Sequence, residues 1–148
     1  MNDSLKILGN LKITLLDKDG KVKEERLLKN LVVDSGLEYL VHALGYANNG
    51  SPFAYVALGT GTSSPSAGNT TLQTELTRGT IGSYTFGITA WTVAAGFNPG
   101  VGTGTITEAG IFNASSGGTM LSRTTFTPIV KHSTDSLLVT WTINFASS

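Results

Sequence analysis

The stretch "LLVTWTINF", residues 137–145, carries the clearest secondary-structure signal in this chain. Its odd-numbered positions are all apolar: Leu137, Val139, Trp141, Ile143 and Phe145. The intervening positions are mostly polar, with Thr140 and Thr142 on either side of Trp141. Because successive side chains of a β-strand point to opposite faces, this period of two predicts a strand with one buried face.

Other stretches extend the prediction to most of the chain. "LKITLL" (11–16) and "KVKEERLL" (21–28) flank "DKDG", in which Gly20 can take a positive φ, so we predict a β-hairpin over residues 11–28. "TGTITEAGIF" (103–112) and "TMLSRTTFTPI" (119–129) flank "NASSGG" and predict a second hairpin. "SYTFGITAWTV" (83–93) is predicted to be one strand, with four side chains on one face: Tyr84, Phe86, Ile88 and Ala90.

Two helices are predicted. "DSGLEYLVHALG" (34–45) has Ser35 and Glu38 at capping-box spacing. Its apolar residues form one stripe that should face a sheet: Leu37, Leu40, Val41 and Leu44. The second, a short helix near residues 71–77, is predicted from the capping-box spacing of Thr70 and Gln73.

These elements predict a mainly β fold. Six or seven strands with glycine-rich connections, and no alternation of strand and helix, are typical of an antiparallel β-sandwich. We therefore expect residues 1–148 to form one jelly-roll-like sandwich domain with one amphipathic helix and one short helix.

The charged residues are few and unevenly placed. They make up 14% of the 148 residues, against about 25% in an average soluble domain. Residues 1–40 hold 14 of the 20, which leaves 6 for residues 41–148, and the formal net charge is zero. A neutral body of this kind favours association, and no basic face indicates nucleic-acid binding.

Other composition features limit the function classes. The chain has no cysteine, which excludes disulfides and thiolate metal sites and fits folding in a reducing cytosol. No stretch approaches 18 consecutive apolar residues, and "MNDSLKILGN" does not resemble a secretory signal, so neither a membrane span nor export is expected.

The glycine-rich loop in "YVALGTGTSSPSAGNTTLQTELTR" (55–78) raises the possibility of a phosphate-binding loop, because it joins a strand to a predicted helix. A Walker-type loop needs a lysine for the phosphates, and this stretch has no positive charge before Arg78. We interpret it as a surface loop and expect no cofactor.

Neither histidine indicates catalysis or metal binding. His42 and His132 have no ligand-type neighbours at metal-binding spacing. Ser133, His132 and Asp135 are too close in sequence for a catalytic triad, whose members converge from separate segments.

Four charged residues in the neutral body are predicted to form structural ion pairs. Glu75 and Arg78 are three residues apart on the predicted short helix, and Glu108 and Arg123 lie opposite each other if the hairpin registers sum to 231. The alternative is a pair of glycosidase carboxylates. Because a glycosidase site also needs a cleft with aromatic platforms and more polar residues than these strands supply, we favour the structural interpretation and expect no enzyme.

Six aromatic residues lie at strand periodicity: Phe86, Trp91, Phe112, Phe126, Trp141 and Phe145. Core packing is the favoured interpretation, and a carbohydrate-binding platform is the alternative.

From about Leu11 to Phe145 the chain resembles a group of tailed-bacteriophage virion proteins. The residues that carry the resemblance are "KNLVVDSGLEYLVHAL", the stretch 55–78 quoted above and "ITEAGIFNASSGGTMLSRTTFTPIVKHSTDSLLVTWTINF". The resemblance implies a β-sandwich module on a virus particle that is made in the host cytoplasm. Members decorate capsids or form part of tail and collar fibres. The resemblance implies no catalytic residue.

A compact domain of this size favours capsid decoration, in which the chain binds the major capsid protein and stabilises the shell. The alternatives are a tail-fibre or collar module that binds another virion protein or a host glycan, and a small glycan hydrolase. We expect a homotrimer, because cement proteins of the kind that the chain resembles often occupy quasi-three-fold joints of the shell, with residues 1–30 as the docking segment. Its candidate docking residues are Lys12, Lys18, Lys21, Lys23, Glu24, Glu25 and Arg26.

Overall fold

The computed structural model describes residues 5–45 and 50–147. The elements are β1 (Leu5–Leu16), β2 (Val22–Val32), α1 (Asp34–Ala43), β3 (Tyr55–Gly59), β4 (Glu75–Thr80), β5 (Ser83–Phe86), β6 (Ala90–Phe97), β7 (Gly104–Phe112), β8 (Met120–Lys131) and β9 (Ser136–Ser147). The nine strands form one antiparallel sheet in the order β4-β3-β7-β8-β2-β1-β9-β6-β5, curled as a half-barrel. The mainly β, antiparallel prediction with a helix within residues 34–45 is confirmed.

The core lies inside the curl, between its two halves. Strands β5, β6, β9, β1 and β2 form one half, and β4, β3, β7 and β8 form the other. In the described residues β2 and β8 join the halves through two residue pairs, Leu31 with Arg123 and Val32 with Ser122. The predicted alternation in β9 is confirmed, because Trp141 is wholly buried while its neighbours Thr140 and Thr142 are partly exposed.

The N-terminal hairpin is confirmed and is longer than predicted. Gly20 has a φ of +80° in the turn, and Asp17 Oδ1 accepts the backbone N–H groups of Asp19 and Lys21. Strand β1 also pairs with β9 from Leu5 to Leu16. The hairpin is therefore an integral part of the sheet. Residues 1–4 of the predicted docking segment lie outside the described residues.

Helix α1 is confirmed, but most of the stripe predicted to be buried is exposed. Gly36 is its buried residue, and a Cβ there would lie 2.4 Å from the backbone oxygen of Leu121. The helix approaches β8 through this glycine. Leu40 of the predicted stripe packs partly buried against the core, whereas Leu37, Val41 and Leu44 are exposed, Val41 at 62% and Leu44 at 89%. The Ser35 hydroxyl donates to the Met120 carbonyl instead of capping the helix.

The predicted short helix near residues 71–77 is wrong. Residues 75–80 form β4, which pairs with β3. The side-chain oxygen of Gln73, which a capping box would turn toward Thr70, accepts the backbone N–H groups of Thr62 and Ser63. Pairing with β3 and these loop contacts outweigh the local helix signal.

The prediction of one strand through Tyr84, Phe86, Ile88 and Ala90 is also wrong. The chain turns back after β5, and the Gly87 N–H donates to the Ala90 carbonyl at 2.8 Å. Phe86 then pairs with Trp91 as β5 and β6 form a tight hairpin. The sequence alternation continues through Gly87, but the strand ends one residue earlier, at Phe86.

Candidate functional site

The long Gly/Ser/Thr loop, residues 60–74, folds over the outer face of β7 and β8. A β-bulge between Ile106 and Glu108 reverses which side chains of β7 face the core. Ile106 and Ile111 therefore pack in the main core, and Glu108 lies on the outer face under the loop. Leu72 in the loop packs with Phe112 in a second, smaller apolar cluster. The loop is held against the sheet and is not a free surface loop.

A buried ion pair lies beneath this loop. Arg123 donates to Glu108 Oε2 from Nη2 at 2.9 Å and from Nε at 3.1 Å. Glu108 is 0% and Arg123 is 1% exposed. Removing one partner would leave the other charge buried and unpaired, so the loss of either side chain should strongly destabilise the fold.

The Glu108 carboxylate also binds the backbone of the loop. Oε1 accepts N–H groups from Gly61 at 2.9 Å and Thr74 at 2.7 Å, and Oε2 accepts from Gln73 at 2.9 Å. The loop thus surrounds an anion, as phosphate-binding loops do, but the anion is a carboxylate of the same chain. These N–H groups are not available to a phosphate.

Gly61 is required by the closeness of this contact. A Cβ at Gly61 would lie 2.5 Å from Glu108 Oε1, and the same distance separates Oε1 from a Cβ at Gly59. The glycines that suggested a phosphate loop therefore allow the backbone to approach Glu108.

Hydrogen bonds decide the ionisation of Glu108. Burial acts to raise its pKa, but the N–H groups of Thr74 and Gln73, the Arg123 guanidinium and the N–H of Gly61 together hold the pKa below its ordinary value. The group is therefore a carboxylate at neutral pH. A carboxylate held in this way is a poor general acid.

Arg123 extends the network to the middle of the loop. Its Nη1 donates to Asn69 Oδ1 at 3.0 Å and its Nη2 to Ser63 Oγ at 3.3 Å. The predicted direct register is off by two, because Arg123 pairs with Gly110 and Glu108 with Thr125. The two side chains meet diagonally on the same face of the hairpin.

Glu75 and Arg78 form the second pair, although they lie on a strand. The Arg78 Nη2 to Glu75 Oε1 distance is 2.6 Å. Positions i and i+3 of a regular strand point to opposite faces, but the register shifts between Leu58 and Gly59 and leaves one extra residue in β4. Arg78 also stacks on the Phe112 ring, 3.8 Å from its centroid, and donates to the Ala114 and Gly117 carbonyls.

A further buried charge, Lys131, was not predicted from the sequence. Lys131 is 1% exposed, and its ammonium donates to the Asn98 carbonyl at 3.1 Å. Burial lowers the pKa of Lys131, while the charge of Asp135 acts to raise it. The spacing from buried Ile129 to Lys131 continues the core-facing alternation of β8, and this was the available signal.

Asp135 fixes the turn between β8 and β9. Its carboxylate accepts the Lys23 ammonium at 2.9 Å and the His132 backbone N–H at 2.8 Å. The Lys23 hydrogen bond, followed by that of His132, lowers the pKa of Asp135 against the effect of burial.

The predicted docking residues are partly engaged within the chain. Lys12 pairs with Glu25, Arg26 pairs with Glu24, and Lys23 pairs with Asp135. Arg26 also donates to the Thr127 and Pro128 carbonyls, across the gap between β2 and β8. Lys18 and Lys21 are exposed at the turn, and within residues 5–45 and 50–147 neither forms a salt bridge.

The histidines lie apart, on α1 and in the turn before β9, and both are exposed. Among the described residues no group of three His, Cys, Asp or Glu side chains could hold a metal ion. Within that same part of the chain, no helix is long and apolar enough to cross a membrane.

The predicted core position of the aromatics is confirmed for Trp141 and Phe112, which are buried. Trp91, Phe126 and Phe145 are partly buried against the core, whereas Phe86 is 75% exposed. An apolar cavity of about 290 Å³ opens beside Phe86. We call it the aromatic cavity; its lining is Tyr39, Leu40, Pro52, Phe53, Tyr84, Phe86, Trp91, Leu121, Ile143 and Phe145.

The chain matches no protein-family model, no curated protein and no solved structure.

Proposed function

We propose that this protein is a non-enzymatic structural protein of a tailed-phage virion, a capsid decoration protein that binds the major capsid protein and stabilises the shell. The sequence resemblance suggests the particle. The structural observation that carries the proposal is that all six charged side chains of residues 41–148 are engaged within the chain: Glu75, Arg78, Glu108, Arg123, Lys131 and Asp135.

This use of charge argues against the hydrolase alternative. A glycosidase needs one carboxylic acid and one carboxylate that both reach the substrate. Glu108 is wholly buried in an ion pair, and Glu75 is paired with Arg78. The same use of charge leaves a neutral outer surface on residues 41–148, which can pack against a protein without burying unpaired charges.

The finer architecture in this proposal is a two-layer sandwich. The two halves of the sheet enclose one core and are joined in the described residues by the two β2–β8 residue pairs. Bridging by Arg26 at the diverging ends of β2 and β8 supports this description, because it replaces ladder hydrogen bonds with side-chain ones.

Docking is assigned to the turn of the β1–β2 hairpin. Lys18 and Lys21 are exposed there, and charges of this kind steer a partner and set its orientation. The partner is the major capsid protein, and the decorating unit is a homotrimer on the virion. The remaining candidate residues, Lys12, Lys23, Glu24, Glu25 and Arg26, would act by holding the hairpin rigid.

The test is to mix the double variant Lys18→Glu/Lys21→Glu with undecorated shells and measure co-sedimentation. We expect the variant to lose binding while its thermal unfolding midpoint is unchanged, because both side chains are exposed. The matched control is Lys6→Glu, the same change in an exposed residue at the other end of β1. Wild-type protein that does not bind shells would refute the decoration role.

The second candidate is a fibre or collar module that binds another virion protein or a host glycan. The observation behind it is the aromatic lining of the cavity, because aromatic rings can stack on sugars. Copy number separates the two: decoration requires on the order of hundreds of copies per particle, and a fibre or collar roughly six to eighteen. Band intensities from purified particles measure this directly.

A further inference from the structure

The turn between β5 and β6 exposes an apolar side chain where none is needed for folding. Ile88 is 104% exposed, so nothing in the described residues covers it. Its neighbour Phe86 is 75% exposed and Tyr84 is 43% exposed. Isolated exposed apolar residues are common, but a cluster at a projecting turn indicates a contact surface. We call residues 87–89 the tip.

The aromatic cavity lies next to the tip. A depression lined by the tip shares Trp91 and Phe145 with the cavity, and Phe86 lines the cavity itself. The hydroxyls at its edge already have acceptors: Tyr39 donates to the Ser51 carbonyl at 3.0 Å and Tyr84 to the Phe53 carbonyl at 3.3 Å. The cavity therefore suits an apolar group better than a sugar, whose hydroxyls need partners.

We propose that the aromatic cavity receives the tip of a second copy of this chain, with Ile88 as the side chain inserted. The tip is adjacent to the cavity, because the depression that the tip lines shares Trp91 and Phe145 with the cavity. A symmetry axis passing close to Trp91 brings each tip over the cavity of the next copy. A closed ring of copies then fills every cavity and covers every tip.

Charge and area both fit this occupant. No charged side chain lines the cavity or the depression, so two copies can approach without burying or opposing charges. Covering Phe86, Tyr84 and Ile88 would remove roughly 400 Å² per copy from water, since one aromatic side chain buries about 150–250 Å². That is about half of the roughly 800 Å² per partner of a stable interface.

The rest of the area comes from the neutral rim. Ser51, Pro52, Thr85 and Thr89 are exposed around the tip and cavity and offer no charge to desolvate. This inference rests on the self-association included in the proposed function, but it does not depend on the shell or on the Lys18 and Lys21 turn.

The experiment compares Ile88→Ser with the control Val41→Ser. Val41 is an exposed apolar residue on α1 that does not line the cavity. Sedimentation equilibrium over a wide concentration range should give a defined oligomer for the wild type and the control. For Ile88→Ser we expect an association constant at least tenfold lower. Circular dichroism and thermal unfolding verify that all three proteins are folded.

A second readout locates the contact. Trp91 lines the cavity, and the other tryptophan, Trp141, is wholly buried. Acrylamide quenching therefore reports Trp91, and it should fall as the wild type and the control associate but not in Ile88→Ser. A monomeric wild type, or an oligomer that Ile88→Ser leaves intact, overturns this inference. Shell binding in the Lys18→Glu/Lys21→Glu experiment is scored separately, so failure of one proposal is distinguishable from failure of the other.

Discussion

Replacing Glu108 with Gln tests whether one buried carboxylate holds the 60–74 loop on the sheet. The change keeps the size of the side chain and removes its charge. In the wild type, Glu108 Oε2 accepts three hydrogen bonds, two from Arg123 and one from the Gln73 N–H. If the amide oxygen takes the Oε1 position, these three donors face an NH₂ group, which cannot accept them.

The expected cost follows from the burial of the pair. Glu108→Gln leaves Arg123 charged and 1% exposed with no counter-ion in contact, and breaking a buried pair in this way costs about 3–5 kcal/mol. Arg123→Leu should cost less, about 2–4 kcal/mol, because the carboxylate keeps its three backbone donors. The double variant should cost less than the sum of the two by at least about 1 kcal/mol.

Urea unfolding measures these free energies, and Glu75→Gln is the matched control. Glu75 is also paired with an arginine, but its side chain is 34% exposed, so we expect a cost below about 1 kcal/mol. Amide hydrogen exchange gives the local readout: the N–H groups of Gly61, Gln73 and Thr74 should exchange faster in Glu108→Gln. If Glu108→Gln costs no more than Glu75→Gln and these amides stay protected, the carboxylate does not hold the loop.

Three further predictions follow from the buried groups. Lys131→Met should raise the free energy of unfolding by about 1–3 kcal/mol, because a buried ammonium with one acceptor is replaced by an apolar chain. The pKa of Lys131 is lowered in the folded state, so the wild type should gain stability as pH rises from that pKa toward the ordinary lysine value of about 10.4. The variant should not show this gain. Because the pKa values of Glu108 and Asp135 are lowered in the folded state, acid titration should decrease wild-type stability as pH falls below about 4, where the unfolded chain binds more protons. Gly61→Ala should destabilise the protein by about 1–3 kcal/mol, since the new Cβ meets the Glu108 carboxylate, whereas Gly68→Ala in the same loop has open space and should be neutral; equal effects in chemical denaturation would contradict the close-contact argument.

Features set by neighbouring residues could be predicted from the sequence. The β1–β2 turn depends on Asp17 and Gly20, which act within the turn itself, and the β9 alternation depends on a period of two. The Glu108–Arg123 pair was within reach for the same reason, because both residues lie on one hairpin and a register error of two still leaves them on one face.

Features set by distant contacts could not be predicted in this way. The stripe of α1 suggested which face was buried, but close approach of Gly36 to Leu121 decided it. Residues near Gln73 had a local helix signal that was outweighed by β3 and by the Glu108 carboxylate, 35 residues further along the chain. The aromatic cavity joins side chains from α1, β5, β6, β8 and β9, so no single stretch of sequence indicates it.

The two proposed contact surfaces lie toward opposite ends of strand β9, and this placement would let one copy use both. At one end Leu16, beside the hairpin turn, pairs with Ser136; toward the other, Leu8 and Ala90, next to the tip, both pair with Asn144. Eight residues of β9 separate the two registers, or roughly 27 Å at about 3.4 Å per residue. At physiological salt the field of an exposed charge is screened over about 8 Å. The lysines of the turn are therefore too far from the tip to affect its association with a second copy. A copy seated in a ring through its tip therefore still presents Lys18 and Lys21 to a charged partner, so self-association and docking do not compete.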